Sequence, residues 1–215
     1  MNFLSPYVII PIIILIIIWG YFFNEETRIK RKIKRAPQKL IANFKDNDKA
    51  KIKGQICEID KPLTSPLSNR ECIGYHVIVQ QKKRSGDTSS WDTIINDTII
   101  KDFIVSDKGL NAIVRTNHVK SVIVKDQKLQ SGFLNDATPQ LESFLRKHGK
   151  ESEGLLGFNK TLRYKEGILE KGELVSVLGK GTWKTTDELN IKLSTKKVLE
   201  ITSDENDPVY ICDHN

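Results

Sequence analysis

Cysteine is scarce in this chain of 215 residues, and its few occurrences are far apart. The three cysteines are Cys57, Cys72 and Cys212, and no two of them form a C-x-x-C pair. Structural zinc sites are built from close ligand pairs, and disulfide frameworks need dense cysteines. The sequence therefore predicts free thiols in a reducing compartment, with no metal and no cofactor.

Recognisable catalytic motifs are absent as well. The sequence shows no catalytic triad, glycine-rich phosphate loop, H-E-x-x-H motif or pair of carboxylates. Two isolated alternatives stay open: the Cys72 thiol as a nucleophile with His76 or His118 as its base, or a zinc ion held by Cys57, Cys72, His76 and Cys212. Neither set has the spacing of a known site, so we predict a protein without catalysis.

Charged side chains are also missing from the first 23 residues. Residues 3–23 are apolar almost throughout, and a helix of about 20 apolar residues crosses the hydrocarbon core of a bilayer. We therefore predict an N-terminal transmembrane helix. The alternative is a cleaved signal peptide, but the charged n-region and the small-residue cleavage site of such peptides are lacking.

Positive charge follows this apolar run at once. Such a flank stays on the cytoplasmic side, so we expect a single-pass protein with its N-terminus outside and its folded part in the cytoplasm. The cations serve either as a topology signal alone or as a surface for anionic lipid. Much of the net charge of +7 lies here, so no nucleic-acid binding is expected. The membrane-surface residues are Arg28, Lys30, Arg31, Lys32, Lys34 and Arg35.

The rest of the chain alternates apolar and polar residues, which is typical of strands. We predict a mainly β domain, a small barrel or sandwich, with one helix packed on it. That helix has Thr138 as its N-cap, Pro139 in its first turn and Gly149 at its end. The predicted divisions are residues 3–23 (transmembrane helix), 24–45 (basic juxtamembrane segment), 46–202 (β domain) and 203–215 (polar tail). Predicted strands lie within residues 50–59, 73–81, 91–105, 110–114, 119–125, 161–169, 174–178, 191–193 and 198–201, with a loop at 82–90.

A series of short motifs carries a resemblance to a known family. They are P-L-T-S-P-L-S-N-R-E-C-I-G-Y at residues 62–75, Trp91, F-I-V-S-D-K-G at 103–109, R-Y-K-E-G-I-L-E-K-G at 163–172, and L-G at 178–179. Together they resemble the GIDE domain, which lies between the membrane spans and the RING finger of mitochondrial membrane-anchored ubiquitin ligases. The domain also occurs in bacterial and archaeal membrane proteins. The similarity covers about residues 50–180.

The resemblance implies a shared domain and a membrane setting, here a bacterial inner membrane, but not ligase activity. A RING finger needs about eight Cys and His ligands around two zinc ions. Only Cys212 and His214 follow the domain, so a RING cannot be built. The second membrane span of the mitochondrial proteins is missing too.

The residues shared with the family are expected to be structural. Arg163 and Glu166 should each form a salt bridge that fixes strand pairing, with contact to a ligand as the alternative. Asp107, Gly109 and Gly172 suit tight turns. The full set is Ser65, Pro66, Leu67, Cys72, Tyr75, Trp91, Phe103, Asp107, Gly109, Arg163, Glu166, Gly172 and Gly179.

These observations favour a membrane-anchored, non-catalytic interaction or scaffold module. We expect a protein partner to bind by strand addition at a sheet edge or at residues 82–90; a homo-oligomer stays open. Two alternatives come from other classes. One is ubiquitin transfer as in the RING-bearing relatives, and the other is a small barrel that binds anionic lipid or single-stranded nucleic acid.

Overall fold

The computed structural model describes residues 7, 10–15, 20, 24–132, 135–153, 159–191, 193 and 195–214. The fold is mainly β, with 50% strand and 16% helix, as predicted. Most of the predicted span, residues 3–23, lies outside the described residues. Within the described part of the chain, no helix is both long and apolar enough to cross a membrane.

Two α-helices and thirteen strands have described bounds, and the described residues 7, 10–15 and 20 are helical as well. The helices are α1 (Glu25–Arg35) and α2 (Pro139–Lys147), and a short 3-10 turn covers Ile41–Asn43. The strands are β1 (Asp48–Glu58), β2 (Leu63–Thr64), β3 (Glu71–Cys72), β4 (Gly74–Ser85), β5 (Thr88–Ile100), β6 (Phe103–Asp107), β7 (Leu110–Val114), β8 (Val119–Val122), β9 (Gln127–Ser131), β10 (Leu162–Leu169), β11 (Leu174–Thr185), β12 (Lys197–Thr202) and β13 (Val209–Asp213).

Five of these strands close into a barrel. Strand β1 pairs with β6, β6 with β7, β7 with β12, β12 with β11, and β11 again with β1. All pairs are antiparallel except β7–β12, which is parallel. Numbered within the barrel, the order is 1-2-3-5-4-1, which is the connectivity of the OB-fold barrel. Of the two predicted architectures, the small barrel is therefore the one that forms.

Alternation along the barrel strands places every second side chain in the interior. Ile52 and Ile56 of β1 are fully buried there, together with Phe103 of β6. The interior is narrow, so small residues are needed where strands approach each other. A Cβ added to Gly54 would collide with the carbonyl oxygen of Ser106, and one added to Gly179 would collide with Ile201.

Residues 203–215 were predicted to be a polar tail, but they include strand β13. Strand β13 pairs with β11 on one side and with β8 on the other. Its residues Val209 and Ile211 are fully buried in the barrel core, which explains the pairing. Residues 191 and 193, expected in a strand, lie outside any strand.

A second sheet is inserted into the barrel sequence. Its strand order is β5-β4-β10-β9, and all its pairs are antiparallel. Helix α2 covers one face through Leu141, Phe144 and Leu145, and it begins at the predicted N-cap Thr138. The predicted loop at residues 82–90 was wrong: β4 and β5 continue through it as a hairpin that turns at Gly86.

Helix α1 is part of the folded domain and not a separate juxtamembrane segment. Ile29 and Ile33 are 4% and 5% exposed and pack against Val122, Leu178 and Tyr210. Their i, i+4 spacing gives the helix one apolar face. Asn24 caps its first turn by accepting a hydrogen bond from the backbone N–H of Glu26. The helix therefore has a fixed orientation on the β domain.

The close approach of β10 to the segment that follows β8 gives a stability prediction. A Cβ added to Gly167 would collide with the carbonyl oxygen of Val124, whereas one added to Gly132 would be 3.6 Å from its nearest neighbour. We expect Gly167→Ala to lower the free energy of unfolding by about 2 kcal/mol or more, because the backbone must shift. Urea denaturation of the full chain, followed by tryptophan fluorescence, measures it. Gly132→Ala is the control and should change stability by less than about 1 kcal/mol; equal effects of the two variants would contradict the packing described.

Candidate functional site

The most conspicuous buried charge belongs to the R-Y-K-E-G-I-L-E-K-G segment at residues 163–172. Glu166 is 1% exposed, and its carboxylate accepts hydrogen bonds from the backbone N–H groups of Leu67 and Ser68, at 2.9 and 3.0 Å. These donors lie in the loop between β2 and β3. The loop is closed on itself, because the Ser65 hydroxyl accepts from the backbone N–H of Arg70 and pairs with the Ser68 hydroxyl. Within the described residues, the carboxylate thus holds a loop in place, where a salt bridge was expected.

Cys72 and Tyr75 lie beside this loop and are buried in the core under α2. Burial raises the pKa of the Cys72 thiol from an ordinary 9.0 to about 11, and the Glu166 and Glu170 carboxylates add to that effect. Burial and the neighbouring Asp97 raise the pKa of Tyr75 to about 12. Both groups are therefore protonated at neutral pH, which is the opposite of what a nucleophile needs.

The two histidines suggested as bases are engaged elsewhere. His76 accepts a hydrogen bond from the Lys125 ammonium at its Nδ1 and donates from Nε2 to Asn96, at 2.6 and 2.7 Å. Burial and the adjacent Lys125 lower the pKa of His76, and burial lowers the pKa of Lys125. The backbone N–H of the exposed His118 donates to the Ser203 hydroxyl. Among the described residues, neither imidazole ring forms a hydrogen bond to the Cys72 thiol.

The remaining motif residues have structural roles. Phe103 is fully buried in the barrel, and Lys108 and Gly109 take positive φ values in the two-residue turn that follows Asp107. Gly172 also has a positive φ, and its N–H donates to the carbonyl of Ile56.

Arg163 and Trp91 meet on the face of the inserted sheet that is opposite to α2. The Arg163 guanidinium lies 4.2 Å from the centre of the Trp91 ring and donates to the side-chain oxygen of Gln80 at 2.7 Å. Arg163 and Glu166 face opposite sides of β10, as alternation predicts. Pro66 is half-buried in the loop between β2 and β3. The motif thus splits into an inward part and one half-buried cation–π pair.

The zinc alternative fails on geometry. Cys57, Cys72 and Cys212 belong to three different apolar clusters. Across the described ranges, no group of three or more His, Cys, Asp or Glu side chains is placed to hold a metal ion.

The outer face of the barrel at β6 and β7 is the surface on which OB-fold barrels bind oligonucleotides. Here that face carries the buried apolar residues Ile104 and Ile113, and it is covered by the connection between β11 and β12. The covering side chains are Leu189, Ile191 and Leu193. An oligonucleotide cannot reach these strands unless that connection moves away.

The basic residues of α1 divide between two flanks of the helix. Arg28, Arg31, Lys32 and Arg35 border a groove between α1 and the barrel. Lys30 lies on the other flank, close enough to Cys212 and Lys125 to act on their pKa values electrostatically. All six predicted membrane-surface residues are thus held on one ordered helix.

No family, curated protein or solved structure identifies this chain. Comparisons with protein-family models, with curated proteins and with solved structures give no match.

Sequence reasoning missed the partners that come from distant parts of the chain. Ile29 and Ile33 are spaced i, i+4 in the sequence, but nothing local indicated that Leu178 and Tyr210 would pack against them. The loop donors of Glu166 are 99 and 98 positions away along the chain, so no local pattern could reveal them.

The hydrogen bonds that the Glu166 carboxylate accepts from Leu67 and Ser68 give a second prediction. Glu166→Ala should lower the free energy of unfolding by about 3 kcal/mol, because two hydrogen bonds to a charged acceptor are lost and two backbone donors lose their partner. The amide protons of Leu67 and Ser68 should also exchange faster with solvent, which hydrogen exchange measures. The exposed Glu71→Ala, in β3 beside the loop, is the matched control and should change stability by less than about 0.5 kcal/mol. Unchanged protection of both amides from hydrogen exchange would contradict their hydrogen bonds to Glu166.

The raised pKa of Cys72 gives a third prediction. Its thiolate fraction at pH 7.5 should be about a hundredfold lower in the folded protein than in the unfolded chain. Alkylation by iodoacetamide, followed by peptide mapping, should therefore be slower in the fold by at least that factor. Since the pKa is raised on folding, the thiol favours the folded state below about pH 9, and this contribution is lost as the pH rises towards 11. Fast alkylation of folded Cys72 at neutral pH would revive the nucleophile hypothesis.

Proposed function

We propose that this chain is a membrane-anchored, non-catalytic interaction module. The apolar run at residues 3–23 anchors it once in a bacterial inner membrane, with the N-terminus outside and the β domain in the cytoplasm. The resemblance to the GIDE domain and the basic flank of the run support this reading. The domain presents binding surfaces and performs no reaction of its own.

The observation that carries the proposal is the free edge of the inserted sheet. Strand β5 (Thr88–Ile100) ends the strand order, and β4 is its partner among the described residues. Exposed edges are normally protected by lysine, proline or bulges. Neither lysine nor proline occurs in β5, and its visible protection is two aspartates, Asp92 and Asp97, with one irregularity in its pairing opposite Val79 and Gln80.

The composition of β5 suits strand addition. Its sequence is rich in β-branched residues, and most of its positions are exposed or half-exposed, with Ile99 exposed by 38%. An added strand gains affinity from main-chain hydrogen bonds and specificity from pockets for alternate side chains. A partner with an extended segment, or β5 of a second copy, fits this edge.

The alternatives have less support. Ubiquitin transfer lacks RING ligands, and Cys72 is buried and protonated. The nucleic-acid reading needs the outer face of β6 and β7, which is covered. If the chain is not retained on heparin at any salt concentration, nucleic-acid binding is ruled out. If it does not discharge ubiquitin from a charged conjugating enzyme, ubiquitin transfer is ruled out.

Proline substitution on β5 tests strand addition. Successive residues of an antiparallel strand direct their N–H groups to opposite edges. Of Ser89→Pro and Ser90→Pro, one should therefore break the pairing with β4 and lower the melting temperature, while the other should leave stability unchanged. We expect the stable variant to lose at least about 90% of the protein recovered with the tagged full chain from detergent extract, since the added strand needs that N–H.

Ala substitution at the same positions is the matched control, because it keeps the backbone N–H. The proposal fails if no protein, including a second copy of this chain, is recovered in stoichiometric amount. It also fails if the stable proline variant recovers its partner as well as the unchanged chain does.

A further inference from the structure

The groove between α1 and the barrel brings several positive charges together around a concave surface. Its volume is about 510 Å³. Five cationic side chains border it, four from α1 and one from β1, and its other lining residues are mostly apolar. The lining consists of Arg28, Arg31, Lys32, Arg35, Ala36, Pro37, Lys49 and Leu178.

The charges of this groove are only partly neutralised by the protein. Lys49 pairs with Asp207, and Lys32 donates to the Tyr210 hydroxyl and lies 4.1 Å from the centre of the Tyr210 ring. Within the described residues, Arg28 and Arg35 have no ion-pair partner. They are seven residues apart on one flank of α1, so their Cα atoms are about 10 Å apart along the helix axis, a span that two long arginine side chains can bridge.

The position of the groove is fixed by the packing of α1. Ile29 and Ile33 hold the helix on β8, β11 and β13, so its cations keep their place relative to the barrel. The helix begins at Glu25, directly after the run at residues 3–23. If that run is the anchor proposed above, on which this inference rests, the groove opens beside the cytoplasmic leaflet.

We propose that this groove binds the headgroup of an anionic phospholipid. Guanidinium groups hold phosphate oxygens in paired hydrogen bonds, which gives Arg28 and Arg35 the role of primary ligands. The ammonium groups of Lys32 and Lys49 add charge at the rim. The apolar surface of Ala36 and Pro37, with the largely buried Leu178 beneath it, suits the glycerol backbone and the first methylenes of the acyl chains.

A soluble lipid tests the groove without the need for a bilayer or a protein partner. The full chain, purified in dodecyl maltoside, is titrated with dihexanoyl-phosphatidylglycerol, and the dissociation constant is obtained from the rise in melting temperature. Dihexanoyl-phosphatidylcholine and inorganic phosphate are titrated in parallel. We expect both to bind at least about tenfold more weakly, since one lacks net charge and the other lacks the glycerol and acyl groups.

Charge removal on the two flanks of α1 separates a site from diffuse attraction. Arg28→Gln with Arg35→Gln should weaken binding of the phosphatidylglycerol by about 25-fold, at about fivefold for each cation near the lipid. Lys30→Gln with Lys34→Gln removes the same charge from the same helix but outside the groove, and should weaken it less than about twofold.

Four results would overturn the proposal, and the first is the absence of any binding of dihexanoyl-phosphatidylglycerol. Equal weakening by the two double variants would indicate general attraction to a basic helix. Equal affinity for inorganic phosphate would assign the groove to a free phosphate compound, and tighter binding of a single-stranded oligonucleotide would assign it to nucleic acid. A negative lipid titration would leave the test of strand addition at β5 unaffected, so the two proposals can fail separately.

Discussion

Closure of the barrel by β1 and β11 is the constraint on which the rest of the structure depends. Eight residue pairs, from Asp48↔Gly181 to Gln55↔Leu174, join segments that are far apart in the sequence. Bringing such segments together costs conformational entropy, and the buried interior offsets that cost. Once the ring is closed, each barrel strand has a partner on both sides over at least part of its length. The strands of the inserted sheet lie in two connections of the barrel, β4 and β5 between β1 and β6, and β9 and β10 between β7 and β11. Helix α1 packs on the outside of β11. Both the inserted sheet and α1 therefore depend on the pairing of β1 with β11.

Local structure could be predicted from the sequence wherever the physical signal is local. The alternation of apolar and polar residues predicted a strand within residues 73–81, and every second residue from Tyr75 to Val79 of β4 is buried. Thr138 and Pro139 predicted the start of α2, because a cap and a fixed φ act within one turn. The barrel was one of two predicted architectures, since alternation gives strands but not their partners.

Other features could not be predicted because they depend on distant partners. The polarity of residues 203–215 indicated a tail, yet Val209 and Ile211 complete the barrel core once β11 lies beside them. Polar residues between Lys82 and Ser90 indicated a loop, but a hairpin exposed on both faces needs no apolar residues to pair its strands. The role of Glu166 depended on a loop about a hundred positions away.

The packing of α1 bears on the two readings of the basic flank. A topology signal needs cations near the end of a span and makes no demand on the structure of the segment that carries them. A topology signal therefore does not explain why Ile29 and Ile33 are buried. Nor does it explain why Lys32 donates a hydrogen bond to the Tyr210 hydroxyl, which is distant in the sequence. Docking costs the long side chains of the helix some rotamer freedom and brings like charges together beside Lys49. An anion in the groove would relieve that repulsion, so the same contacts that fix the helix also create the conditions for binding.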